Sequence, residues 1–202
     1  MKILILLFVL LWSIVPVAAN TVKFEFSGFI DEIEANTNNA LPGIHLNQPF
    51  HGWFSYSFVP DQTTNPDYGV YSQNASISTT LGTLVFDHID AHVYIRVANN
   101  YTDDEDIFSH AVDALSGNFS FTKYGVYLTD STGMVFNTGE LPTSLDMAQF
   151  DSTRFMLKGY SLPNHDWFDV EGEITSITTV PEPSIFLLFA LGGLILRRKH
   201  KK

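Results

Sequence analysis

His88, Asp90 and His92 stand two residues apart. On an extended strand all three side chains project from one face, and two imidazoles with a carboxylate make a workable transition-metal set. Same-face neighbours on a strand lie about 7 Å apart, so such a set has to converge on its ion. The same spacing equally describes the polar outward face of a strand whose other face is core. A second candidate follows in the run Asn99, Asn100, Tyr101, Thr102, Asp103, Asp104, Glu105, Asp106. Asp103, Asp104 and Asp106 offer hard oxygen ligands at close spacing, the donor type that calcium takes in extracellular modules. The run lacks the Asp-x-Asp-x-Asp-Gly order and distal glutamate of an EF-hand, and a solvated acidic loop has the same composition. A polar stretch from Asp61 to Asp67 is a weaker version of the same pattern.

Catalytic patterns are missing. No serine sits between glycines as in a nucleophile elbow, and no His-Glu-x-x-His occurs. The absence of cysteine excludes thiol nucleophiles, Cys-ligated zinc, iron–sulfur clusters and disulfides. A glycosidase needs two carboxylates facing each other across a cleft, a separation that sequence spacing does not specify. The chain is therefore expected not to be an enzyme. Exposed rings such as Trp53, Trp167, Tyr56, Tyr94 and Tyr160 would stack on sugars; the competing use of the same residues is as core and cross-strand pairs.

Both ends of the chain carry short apolar segments. Met1 and Lys2 precede an uncharged run over residues 3–12, and Val17 with Ala19 places small side chains where signal peptidase requires them. Cleavage is expected between Ala19 and Asn20, making residues 1–19 a signal peptide. At the other end come Pro181, Glu182, Pro183 and Ser184, an uncharged segment over 185–196, and the basic cluster Arg197, Arg198, Lys199, His200, Lys201, Lys202. As a helix the uncharged segment reaches about 18 Å against a hydrocarbon core of about 30 Å, so it spans only with help from its flanks and from snorkelling of the basic side chains. The basic cluster is a cytoplasmic stop by the positive-inside rule, and it orients the rest of the protein outside that membrane.

This tail resembles the PEP-CTERM sorting signal of Gram-negative bacteria, in its Pro181-Glu182-Pro183 motif, its Leu/Gly-rich segment and its Arg197-Arg198-Lys199 end. The resemblance implies that an exosortase recognises the Pro-Glu-Pro region, removes the apolar segment and passes the protein to the surface or matrix. Two prolines hold such a segment extended, as a protease substrate requires. Glu182 is then a recognition residue. The strands around Phe24-Glu25-Phe26, Phe50-His51-Gly52-Trp53 and Tyr68-Gly69-Val70-Tyr71 also resemble extracellular β domains found ahead of such tails.

Between the ends, residues 20–179 form one domain of ordinary size, with residues 180–202 as the sorting segment. That domain holds 21 acids against five bases, Lys23, Arg96, Lys123, Arg154 and Lys158, a net charge of −16. Such a surface repels nucleic acid and anionic lipid and attracts divalent cations. Period-two alternation of aromatic and β-branched residues predicts strands beginning at Val22 and covering residues 50–59, 83–97, 118–129, 134–136, 154–160 and 167–178. Residues 104–115 and 145–150 are expected to form short helical turns. The pattern predicts an all-β fold, an antiparallel β-sandwich or jelly-roll-like single domain.

The sequence thus reads as an exported structural or adhesive protein of the cell surface or extracellular matrix, associated with exopolysaccharide. Signal peptidase and exosortase act on it, the inner membrane holds it before processing, and no cofactor beyond calcium at the acidic run is expected. The alternatives are a secreted carbohydrate-active enzyme and a calcium-stabilised glycan-binding module.

Overall fold

Alternating rings fix the fold, because each strand that carries them has to turn one face away from water. The computed structural model describes residues 21–57, 68–71, 75–89, 93–101, 105–112, 114–136, 138 and 142–180. Its strands are β1 (Thr21–Asn36), β2 (Pro49–Ser57), β3 (Tyr68–Tyr71), β4 (Ser76–Leu81), β5 (Leu84–Ile89), β6 (Val93–Tyr101), β7 (Glu105–Val112), β8 (Ala114–Ser116), β9 (Phe119–Asp130), β10 (Ser152–Ser161) and β11 (Trp167–Val180). Short 3-10 turns occur at Thr37–Asn39 and Met147–Gln149.

The strands form one antiparallel sheet in the order β3-β6-β7-β9-β10-β11-β1-β2-β4-β5, with β8 also paired to β9. The first strand therefore lies between the last strand and the second. The sheet curls over itself, so that β5 comes alongside β8 and the walls face each other across a shared core. The expected all-β antiparallel fold is what forms, and its two layers are opposing walls of one continuous sheet.

Aromatic rings fill the space between the walls. Phe155 on β10 lies 4.7 Å from Phe50 on β2, and Phe86 on β5 meets Phe121 on β9 edge-on at 5.5 Å. Tyr124 on β9 crosses the core with its hydroxyl, which donates to the Phe86 carbonyl at 2.9 Å and shares a hydrogen bond with the Thr79 hydroxyl at 3.0 Å. Burial pushes this phenol far above its usual range, so it stays a neutral donor. Tyr56 ties the loop after β9 to β2 through a hydrogen bond to the Pro142 carbonyl.

Glycine supplies the room that these rings need. A Cβ on Gly28 would stand 2.6 Å from the Phe50 ring and would strike the Glu173 carbonyl, and one on Gly172 would strike the same ring from the neighbouring strand. Phe50 thus rests in a notch that exists only because β1 and β11 each lack a side chain there, an arrangement of ring over glycine that also holds at Gly52 beneath Phe26.

Three expectations are corrected. The predicted strand over 83–97 is two strands, β5 ending at Ile89 and β6 beginning at Val93. They pair with different neighbours near opposite ends of the sheet, so an alternation that runs through both carries no shared face. Within β5, Phe86 is 1% exposed and Val85 56%, so the face of Leu84 and Phe86 is the inner one. Within 104–115, where a short helical turn is expected, residues 105–112 form β7 and residues 114 and 115 open β8, because pairing with β6 and β9 overrides a weak local pattern. Residues 134–136 form no strand; they belong to the turn that Asp130 caps by accepting from the Thr132 and Met134 amides at 3.1 and 3.0 Å.

Two substitutions test this packing. Gly28→Ala, whose methyl group meets a backbone carbonyl that cannot yield, is expected to lower the unfolding free energy by about 1–3 kcal/mol in urea titration. Tyr124→Phe leaves the Phe86 carbonyl and the Thr79 hydroxyl buried without their partner and is expected to cost about 1–3 kcal/mol by the same measurement.

Candidate functional site

The outer face of the sheet carries two organised clusters. The first is a groove of about 480 Å³ over β11, β1, β2 and β4. Strand register arranges its side chains in two rows that cross the strands. In one row Thr178, Glu25, Trp53 and Ser78 stand directly opposite one another; in the other Ser176, Ser27, His51 and Thr80 do so. Phe26 and Gly52 complete the lining. Phe50, Phe54 and Tyr56 of β2 are buried, which leaves His51 and Trp53 to the outer face.

The row of Glu25, Trp53 and Ser78 has side-chain contacts of its own. The Lys23 ammonium stands 4.7 Å from the centre of the Trp53 ring and 3.9 Å from the Glu25 carboxylate, so the cation nearest the groove is engaged by an indole and an acid. At the far end the Ser78 hydroxyl donates to Asp87 on β5. The groove therefore offers five hydroxyls, an imidazole, an indole and one carboxylate. It is a surface for hydrogen bonding and stacking.

The second cluster lies over β10, β11 and the far half of β1, and its origin is a pair of bulges. Register shifts in β1 insert Asp31 and Glu34 as extra residues opposite β11. Asp31 and its neighbour Glu32 consequently both reach Arg154, at 2.5 and 3.5 Å, and Arg154 also contacts Glu171 at 3.1 Å. Lys158 bridges Glu171 at 2.8 Å and Asp169 at 3.0 Å. Glu32 faces Glu171 across the strands, a like-charge pair that the Arg154 guanidinium neutralises.

The ionisation states follow from these contacts. Burial opposes charge on Glu171, but hydrogen bonds from Lys158 and Arg154 outweigh it and hold the carboxyl below its usual range. Desolvation likewise pulls Lys158 down, and its bonds to Glu171 and Asp169 carry it above its usual range. Glu34 is raised, chiefly because it shares a hydrogen bond with Asp169, whose charge repels its own. This cluster is a structural clamp with every cation engaged.

The residues anticipated from sequence fall unevenly on this framework. His88 lies on β5, and Asp90 and His92 lie outside the described residues. Asp103 and Asp104 also lie outside them, while Asp106 sits on β7 opposite Asp130. Among the described residues no three His, Asp or Glu side chains are placed to hold a metal ion. The polar stretch from Asp61 to Asp67, the cleavage position at Ala19 and Asn20, and the sorting residues Pro181, Glu182, Pro183, Arg197, Arg198 and Lys199 are outside the described residues too. No helix among the described residues is long and apolar enough to cross a membrane. Trp53 was legible as a ring that could meet a ligand. Its partners Thr80, Ser176 and Thr178 were not, since only the pairing of four separate strands brings them into its rows.

The clamp predicts a pH dependence. Glu171 has a folded pKa below its ordinary 4.5, so its stabilising contribution is fully present above that value and is lost as pH falls through the folded pKa. Glu171→Gln should therefore lower the melting temperature at pH 7, and the difference from the wild type should shrink as pH falls below 4.5, as scanning calorimetry over a descending pH series would read.

No curated protein and no solved structure matches the chain. A family model, the PEP-CTERM protein-sorting motif, matches residues 179–199, beginning in the last two residues of β11 and running through the Pro-Glu-Pro sequence to the basic cluster. The chain accordingly carries a PEP-CTERM protein-sorting motif directly behind an antiparallel β domain.

Proposed function

We propose that the mature protein is a non-enzymatic structural or adhesive component of the cell surface or extracellular matrix, associated with exopolysaccharide. The observation that carries this reading is the sorting motif itself, which directs an exported β domain to exosortase. On this reading signal peptidase cuts between Ala19 and Asn20, the segment over 185–196 holds the protein in the inner membrane, and exosortase then removes that segment.

The outer surface supports a binding role over catalysis. Hydrolysis of a glycosidic bond requires two facing carboxylates, and the lining of the groove holds one, Glu25. The domain's net charge of −16, from 21 acids and five bases, suits a soluble surface that resists nucleic acid and anionic lipid.

Intact mass spectrometry of the protein recovered from producing cells tests the processing. The expected species starts at Asn20 and lacks residues 197–202, and a Glu182→Ala variant is expected to accumulate with its basic tail retained. Recovery of the wild-type protein with the tail still attached would overturn the reading.

A further inference from the structure

We propose that the groove over β11, β1, β2 and β4 is a binding site for an uncharged polysaccharide strand, with the Trp53 indole as its stacking plate. The proposal rests on the matrix reading above and names the chemistry of the partner and the residues that meet it.

The two rows of opposed side chains supply the shape. They run across four strands, a span of about 14 Å at the spacing of neighbouring strands, and stand about 7 Å apart along each strand. The result is a lane with polar banks, open along its length, whose volume of about 480 Å³ is that of a small-molecule site. The lining residues of β1, β2 and β4 are paired on both sides and Ser176 and Thr178 of β11 are paired with β1, so little order has to be gained when a ligand arrives.

The chemistry of the banks selects the class. A pyranose presents hydroxyls at its rim and an apolar C–H face; Ser27, Ser78, Thr80, Ser176 and Thr178 match the first, and an indole matches the second. The lane carries a carboxylate, Glu25, and its nearest cation, Lys23, is already engaged by that carboxylate and by the ring. Arg154 and Lys158 are held in the carboxylate clamp. A uronic acid or sulfated chain would thus enter a negative field with no cation of the lane ready to meet it among the described residues, whereas a neutral glycan incurs no such penalty.

The test is affinity electrophoresis of the exported protein recovered from producing cells. The gels contain a neutral glucan or galactomannan, the acidic polysaccharide alginate, or the cells' own extracellular polysaccharide. Retardation by at least one neutral polymer and none by alginate is expected. Trp53→Ala should weaken that retardation about tenfold, and Thr80→Val, a substitution of nearly equal size on the opposite bank, should weaken it less. Trp53→Phe, which keeps a ring, should retain most of the binding and guards against a folding defect in the alanine variant. Binding of the wild type that survives both Trp53→Ala and Thr80→Val would overturn the site and leave the matrix reading standing. Retardation by alginate with none by neutral polymers would overturn the choice of an uncharged ligand. No retardation by any polymer, the cells' own included, would overturn the proposal and the matrix reading together.

Discussion

The pairing of β1 with β11 is the constraint on which the rest of this structure depends. It joins the two ends of the domain from Lys23 opposite Val180 to Asn36 opposite Phe168, and it places the first strand in the interior of the sheet. Both organised surfaces straddle it. The polar lane uses Glu25 and Ser27 of β1 with Ser176 and Thr178 of β11, while the clamp uses Asp31 and Glu32 with Glu171. The notch that holds Phe50 is also made of these two strands, by Gly28 and Gly172.

The same pair of strands shows how local irregularity separates the two surfaces. In its near half β1 alternates regularly, with Phe24 and Phe26 inside and Glu25 and Ser27 outside, and the result is a clean row of side chains. In its far half the extra residues Asp31 and Glu34 break the alternation and crowd carboxylates onto the outer face. That crowding would destabilise a sheet without the two cations of β10, which stand four residues apart and therefore on one face. Two of the domain's five bases are committed to this duty, and the shortage of positive charge elsewhere follows directly.

Much of the fold was legible because inward apolar residues, aromatic or aliphatic, recur every second residue. β1, β2, β9, β10 and β11 each announce themselves in this way, and together they make the centre of the sheet. What alternation cannot record is where a strand stops when the next begins in the same phase. Leu84, Phe86 and His88 run on into Tyr94 and Arg96 without a break in pattern, yet the chain has crossed from one end of the sheet to the other. The candidate site was less legible still. His51 and Trp53 could be assigned to an outer face from β2 alone, but their alignment with Thr80, Ser27 and Ser176 is a matter of register among four strands, and register depends on bulges that leave no mark in composition. The sorting motif lies at the other extreme, since it acts as a short linear signal and its residue types suffice.

On the proposed export, the place of β1 between β2 and β11 also sets the order of folding events. A chain that is threaded through a membrane from its N-terminus delivers β1 first and its second partner last. Until β11 has emerged, one edge of β1 remains unpaired and Phe50 has only half of its seat. Folding is therefore completed after translocation of nearly the whole domain, through contacts of long sequence separation, which are the slow kind. In that interval the exposed edge and its rings are open to wrong partners, and the charges of Glu25, Asp31, Glu32 and Glu34 along the same strand act as gatekeepers against them.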